Sequence, residues 1–166
     1  MIKWFDRTFD FEHNSYSLQE LKARLRDFPL KLEKRVVSLP EAVLVAGKWS
    51  VKEHIGHLAD LEPLWQGRLN DIINRSIELR ATDLQNTKTD QAGHNNKPLT
   101  ELLADFIELR QKTIKILDTL SPEDLSKSSL HPRLKTPMHI TDHLLFVAEH
   151  DEHHLASIEE LISGID

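Results

Sequence analysis

Between Met138 and Leu161 the sequence reads MHITDHLLFVAEHDEHHLASIEEL and carries five of the ten histidines in a chain of 166 residues. Wound as a helix at about 100° per residue, it puts His143, Phe146, Val147, His150, His154, Ser157 and Leu161 on one stripe. A stripe shared by imidazoles, phenylalanine and valine faces away from water. Those histidines therefore either carry a desolvation cost or bind something.

Three further stretches have helical spacing. From Ser17 the apolar positions are Leu18, Leu21, Leu25, Phe28, Leu32, Val36 and Leu39, in steps of three and four, with Pro29 predicting a kink or two half-helices near Phe28. After a connection from Pro40 to Lys48, Ser50 and Glu53 have the spacing of a capping box and start a helix predicted to reach about Ile77. Its apolar side is Val51, Ile55, Leu58, Trp65, Leu69 and Ile72, and Pro63 should bend it. A third helix follows Pro98, with Leu102, Leu103, Phe106, Leu109, Ile116 and Leu117 on its buried side.

Residues 80–97 are polar throughout and predict a long loop. Ser121-Pro122-Glu123-Asp124 predicts a cap and a short extra helix, and Ser163-Gly164 the end of the last one. Trp4, Phe5, Phe9, Phe11 and Tyr16 lack helical spacing and predict an aromatic N-terminal arm packed on the bundle. No stretch has a strand pattern. The expectation is an all-α four-helix bundle, with residues 1–166 as a single domain.

Composition narrows the function classes. A net charge of −6 argues against nucleic acid as a partner. The longest apolar run, Leu144–Ala148, is far short of a membrane span, and no signal peptide pattern opens the chain. With zero cysteines there is no disulfide and no thiolate ligand, and a cytoplasmic protein is expected.

His150 and His154 are four residues apart, so both imidazoles can reach one cation from one helix face. The best third ligand is His57, in the middle of the second helix with Leu61 and Leu64 on its side. Three neutral imidazoles and an open position suit Zn²⁺, with Ni²⁺, Co²⁺, Fe²⁺ or Mn²⁺ as alternatives. Rival spacings exist: His139 with His143, His54 with His57, and His153 beside His154. His153 falls off the stripe and is expected at a rim. His143 is about 10 Å along the helix from His150 and is expected to be buried or mouth-lining. His13, His94, His131 and His139 are mostly expected to be loop or cap residues. Spacing alone does not choose among these sets.

AGKWSVKEHIGHLADLE (46–62) together with HPRLKTPMHITDHLLFVAEHDEHHLASI (131–158) closely resembles the DinB-like, or YfiT-like, superfamily of metalloenzymes. DLQNTKTDQAGHNNKPLTELLADFIELR also looks like one subgroup, so the resemblance runs from about Leu21 onward. It implies a bundle of up-down-down-up connectivity, often homodimeric. It also implies a divalent metal held by one histidine of the second helix and two of the last, here His57, His150 and His154. The chain departs from the usual pattern at Pro63 and at His139, where the cap of the last helix is often threonine.

Some members of the superfamily are similar in being low-molecular-weight thiol S-transferases or thiol-dependent isomerases. The resemblance therefore implies a small-molecule substrate and a thiol brought in from solution, since the chain has no cysteine of its own. Hydrolysis, with Glu53, Asp151 or Glu152 as base, is the nearest rival, and a non-enzymatic metal-binding or dimeric interaction module is the third reading. Arg68 shares the angular position of His57 about three turns along, and Arg110 lies on the third helix. Both are expected in surface salt bridges, with the holding of an anionic substrate as the alternative.

Overall fold

The computed structural model describes residues 4–47 and 49–164. Four long helices make the body: α1 (Leu18–Val36), α3 (Val51–Ile73), α5 (Leu99–Asp118) and α6 (Ile140–Ser163). Short helices α2 (Glu41–Leu44) and α4 (Thr87–Gln91) lie in the connections. 3₁₀ turns occupy Trp4–Asp6, His94–Asn96 and Asp124–Ser126.

Side-chain pairs fix the helix directions. Arg24 meets Glu149 and Lys31 meets Glu152, so α1 and α6 run parallel. Glu62 meets Arg110 and Gln66 meets Thr113, so α3 and α5 run parallel. Lys22 meets Asp118 lower on α5 than Leu25 meets Arg110, and Trp65 meets His143 while His57 meets His154; the two pairs therefore oppose each other. The connectivity is up-down-down-up, as the resemblance implied.

Both predicted helix starts on serine hold, and the second is a capping box legible in advance. Ser50 Oγ accepts the Glu53 N–H at 3.2 Å while Glu53 accepts the Ser50 N–H at 2.7 Å. Ser17 and Glu20 make the same pair at the head of α1.

One proline expectation needs correction. α1 runs unbroken through Pro29 rather than as two half-helices, while α3 runs on through Pro63, as the predicted helix did. Pro29 cannot donate to the Leu25 carbonyl one turn back. That carbonyl instead accepts Arg110 Nη1 at 3.0 Å, so the lost backbone bond is replaced from α5.

α3 also stops at Ile73, short of Ile77. Arg75 takes φ 57°, and residues 77–79 become extended and bond to Leu130 in both directions, at 2.9 and 3.0 Å. Leu130 belongs to a feature that the sequence reading lacked. β1 (Ser128–Leu130) and β2 (Pro137–His139) form a small antiparallel ribbon in which Ser129 faces Met138. Strands of three residues are too short to display alternation. β2 also takes Met138 and His139 out of the last helix, so α6 begins at Ile140 with Asp142 Oδ2 accepting the His139 N–H at 2.9 Å.

Two apolar clusters fill the bundle. One gathers Leu21, Trp65, Leu69, Leu117, Met138 and Leu144, the other Phe28, Leu32, Ile55, Leu102, Phe106 and Ile158. Between them sits Arg110, 2% exposed, where a surface salt bridge was expected. Its fork holds Asp151 at 2.8 and 3.1 Å, and its Nε donates to Glu62 at 2.7 Å. Thr113 adds a hydroxyl to Glu62. One cation faces two buried carboxylates, and burial first, opposed by Arg110, lifts the Asp151 carboxyl to about 6.

Two outcomes follow from these buried groups. Arg110→Met leaves Asp151 and Glu62 buried without a cation, and the variant should lose about 3–5 kcal/mol in urea unfolding. Adding Asp151→Asn to it should restore part of that loss. His143, 0% exposed, is held down to about 3, chiefly by burial, against 6.5 for a free imidazole. Between those values the unfolded chain binds a proton that the folded one refuses, so stability is present above about pH 6.5 and falls as pH falls toward 3. His143→Gln should flatten the decline of stability between about pH 6.5 and 4 by up to about 1.4 kcal/mol per pH unit. An unchanged slope in metal-free protein would contradict this account.

Candidate metal centre

α3 and α6 cross so that His57 faces the turn carrying His150 and His154. One ring nitrogen from each lies within 4.8 Å of the others, and all three residues are buried. The Nε2 atoms of His150 and His154 are 3.1 Å apart. Two nitrogens bound to one Zn²⁺ at about 2.0–2.1 Å lie at most about 4.2 Å apart, and this pair is already inside that limit. The sequence reading placed these three together, and the fold brings them together.

His57 is aimed by a chain of hydrogen bonds. Its Nδ1 is 3.0 Å from Thr89 Oγ1, and that hydroxyl donates to Asp60 Oδ2 at 3.1 Å. With its hydrogen committed to Asp60, Thr89 accepts from His57 Nδ1–H, which leaves Nε2 bare for an ion. Asp60 also binds His94 Nε2 at 2.9 Å and Lys88 Nζ at 3.1 Å. Thr89 and His94 both come from the polar 80–97 segment. It is therefore an ordered strap bearing α4 and a 3₁₀ turn, where a long loop was expected.

His94 is 5% exposed and does more than an ordinary loop histidine. The signal for it lay in a glycine in mid-helix: a Cβ on Gly56 would sit 2.3 Å from the His94 ring.

His154 has its own support. Its Nδ1 is 2.7 Å from Nδ1 of His54, itself buried. With a cation on Nε2, the His154 Nδ1–H donates to His54, so His54 stands behind the set rather than in it. The remaining rivals separate in the same way. His143 donates Nε2–H to the Trp65 carbonyl at 3.2 Å, and His139 caps α6. His13 is exposed against Asp10 at 2.7 Å, and His153 is half-buried at the cavity rim, as its position off the stripe implied.

Burial keeps these rings neutral. It is the largest cause of the shift at His54 and His57, each held to about 4, with Asp60 partly opposing it at His57. His150 and His154 lie well below the usual imidazole range, first from burial and then from neighbouring histidines. Neutral imidazole is the form that binds a cation. His150 Nδ1 is buried with no hydrogen-bond partner among the described residues. The donor set fits a divalent metal with nitrogen preference.

The histidines open on a cavity of about 1180 Å³. Trp49 lies edge-on to His57 at 4.8 Å, and Trp4 to His150 at 5.0 Å, so the N-terminal arm, expected to pack on the bundle, lies against the histidines. Trp49 adopts φ 55°, a left-handed backbone that a bulky residue rarely accepts, immediately before the Ser50 cap.

The three carboxylates considered as bases are all committed elsewhere. Glu53 caps α3, Asp151 binds Arg110, and Glu152 meets Lys31 at 2.7 Å. Arg68, expected at the surface, is 1% exposed and lines the cavity.

Comparison with known proteins agrees with this architecture. A protein of Bacillus pumilus (strain SAFR-032) named "Putative metal-dependent hydrolase" is 26% identical over 148 residues, covering 84% of this chain and 81% of the relative. The solved structure of YfiT from Bacillus subtilis, titled as that of a probable metal-dependent hydrolase with an unusual four-helix bundle topology, superposes with a TM-score of 0.77 at 21% identity. The likeness covers 96% of this chain and 91% of that one. The family model of the DinB superfamily matches residues 18–158, and the chain belongs to that superfamily.

Proposed function

We propose that this protein is a divalent-metal-dependent enzyme in which His57, His150 and His154 hold the ion, and that it joins a low-molecular-weight thiol to an electrophilic small molecule. The observation that carries the reading is the convergence of three buried, neutral imidazoles on an open cavity, with their ring nitrogens within 4.8 Å. When bound, a cation with three neutral ligands keeps its full charge and lowers the pKa of a thiol or water beside it.

The protein's own groups do the rest. Thr89 and Asp60 hold His57 in one tautomer, and His54 takes the hydrogen of His154 Nδ1. Trp4, Trp49 and Trp65 supply apolar walls that thin the water around the nucleophile. The thiol gives its proton to solvent, its sulfur lone pair forms the bond to the electrophilic carbon, and the leaving group departs with the pair of the carbon bond that breaks.

Thiol transfer is favoured over hydrolysis by the engagement of Glu53, Asp151 and Glu152, which removes the carboxylates considered as a base. The cavity also has room for two small molecules. Hydrolysis stands as the second reading because both relatives above carry that description. His153, at the rim, with no side-chain hydrogen bond among the described residues, is an imidazole available to it.

Two measurements test these assignments. His150→Ala, prepared without a histidine tag, should lose bound metal and activity while keeping its helical circular dichroism. Thr89→Val should weaken metal affinity by about 10–100-fold, because it removes the acceptor that orients His57. Full metal content in His150→Ala would refute the ligand set. For the reaction, metal-loaded protein is offered a panel of electrophiles with several thiols, and a panel of esters and amides without them. Thiol-dependent product supports the first reading; turnover only in the thiol-free panel shows hydrolysis.

A further inference from the structure

The far end of the cavity carries donors that no acceptor meets. Arg68, 1% exposed, donates Nε–H to the Arg80 carbonyl at 3.1 Å, but its Nη2 is buried without a partner. Its Nη1 lies 3.3 Å from His131 Nε2. That contact is not a hydrogen bond. His131 Nδ1 receives the backbone N–H groups of Arg133 and Leu134, each at 3.1 Å, so the hydrogen of the neutral ring sits on Nε2.

Burial, then Arg68 and Arg133, hold this imidazole down to about 4, so neutral it is. Two N–H groups therefore face each other. Arg133 adds another: its Nη1 reaches the Phe5 carbonyl at 3.3 Å, while Nη2 is buried and unpartnered. Arg68, His131 and Arg133 all line the cavity that holds the three histidines.

Among the described residues no carboxylate pairs with Arg68 or Arg133. Asp71, the acid that acts most on Arg68, is taken by Arg80 through Nε at 2.9 Å and Nη2 at 2.8 Å. Among the described residues neither Arg68 nor Arg133 makes an ion pair of its own. Burial is the main cause that lowers Arg68, to about 10, which leaves it charged at neutral pH. A buried guanidinium without an anion is unfavourable, in contrast to Arg110, which has two.

We propose that Arg68, with His131 and Arg133, is a binding site for the carboxylate of a small-molecule substrate whose apolar body lies along Trp65 and Phe146 toward His57, His150 and His154. The free Nη1 and Nη2 of Arg68 form the planar fork that a two-oxygen carboxylate fits. The wall between the two ends is aromatic. The Trp65 ring is 5.6 Å from the Arg68 guanidinium on one side and 5.6 Å from the His150 ring on the other. Phe146 lies 5.3 Å from His131 and 5.0 Å from Trp4. Arg68 also follows His57 by three helical turns, about 16 Å along α3, so the two ends face the same groove. The site deepens the function proposed above, and it rests on that reading only for the chemistry at the other end; binding is tested without it.

The test is calorimetric titration of full-length protein with phenylacetate, its neutral analogue phenylacetamide, and inorganic phosphate. Phenylacetate should bind at least tenfold tighter than the amide. Arg68→Met should weaken phenylacetate by at least tenfold while its metal content stays at the parent level. Arg133→Gln, in a surface turn, gives the same readout with a smaller loss should Arg68→Met not fold. Equal binding of acid and amide, unchanged binding in the variants, or binding of phosphate alone would overturn the carboxylate site. If phenylacetate binds as described and metal-loaded protein turns over neither panel, the enzymatic reading fails and this site stands.

Discussion

One guanidinium ties the four helices together. From α5, Arg110 reaches the Leu25 carbonyl of α1, Glu62 of α3 and Asp151 of α6. It does this between the two apolar clusters, where hydrophobic packing alone would let the helices slide or rotate. Its geometry also explains a tolerated defect, because the carbonyl that Pro29 leaves without a backbone donor is the one that Arg110 takes. Asp151 is the neighbour of His150 in sequence, so the fork that holds Asp151 sets the rotation of α6. With that rotation set, His150 and His154 turn toward His57.

The bundle and the His150–His154 pair were legible because each rests on local, periodic information, whereas the joining of His57 to that pair came from the resemblance and not from spacing. Capping serines, apolar steps of three and four, and histidines four apart all act within one helix. What was not legible depends on contacts distant in sequence. The unbroken helix through Pro29 is a tertiary outcome of that kind. The Ser128–Leu130 ribbon was too short to show a pattern, and it is held partly by residues 77–79, which read as the end of a helix. The strap at 80–97 read as a long loop because polar residues dominate it. Its order comes from Thr89 and His94 docking on Asp60, and only Gly56, a helix interior with no Cβ, hinted at that docking.

Burial is a poor guide to role unless the partners are counted. His131 and His143 are both buried and neutral, and each has at least one nitrogen fully employed in holding backbone. His150 is as deeply buried, yet its Nδ1 meets nothing and its Nε2 meets only another imidazole. A ring in that state has given up water without protein compensation, which is favourable overall only if another ligand completes it. That difference sets His150 apart from His131 and His143, while His57 and His154 are set apart by Nδ1 partners, Thr89 and His54, that leave Nε2 for the cluster.

The same count applies to the arginines. Arg68 and Arg110 both stand at helical positions, and both were expected first in surface salt bridges, although Arg68 shares the angular position of His57. Both are buried to within 2%. Arg110 has oxygen acceptors on α1, α3 and α6, which is the arrangement expected of a structural cation. Arg68 has one carbonyl, one aromatic ring and a histidine presenting the wrong hydrogen. Folding gains little from placing a cation there, and a hydrophobic side chain of similar length would fill the space at lower cost. A charge kept at such a position, facing the same cavity as the histidines, has its complement outside the chain. The cavity thus has two polar ends of opposite demand, one short of a cation and one short of an anion, separated by an aromatic wall. That spacing sets the length and polarity of whatever molecule fits between them.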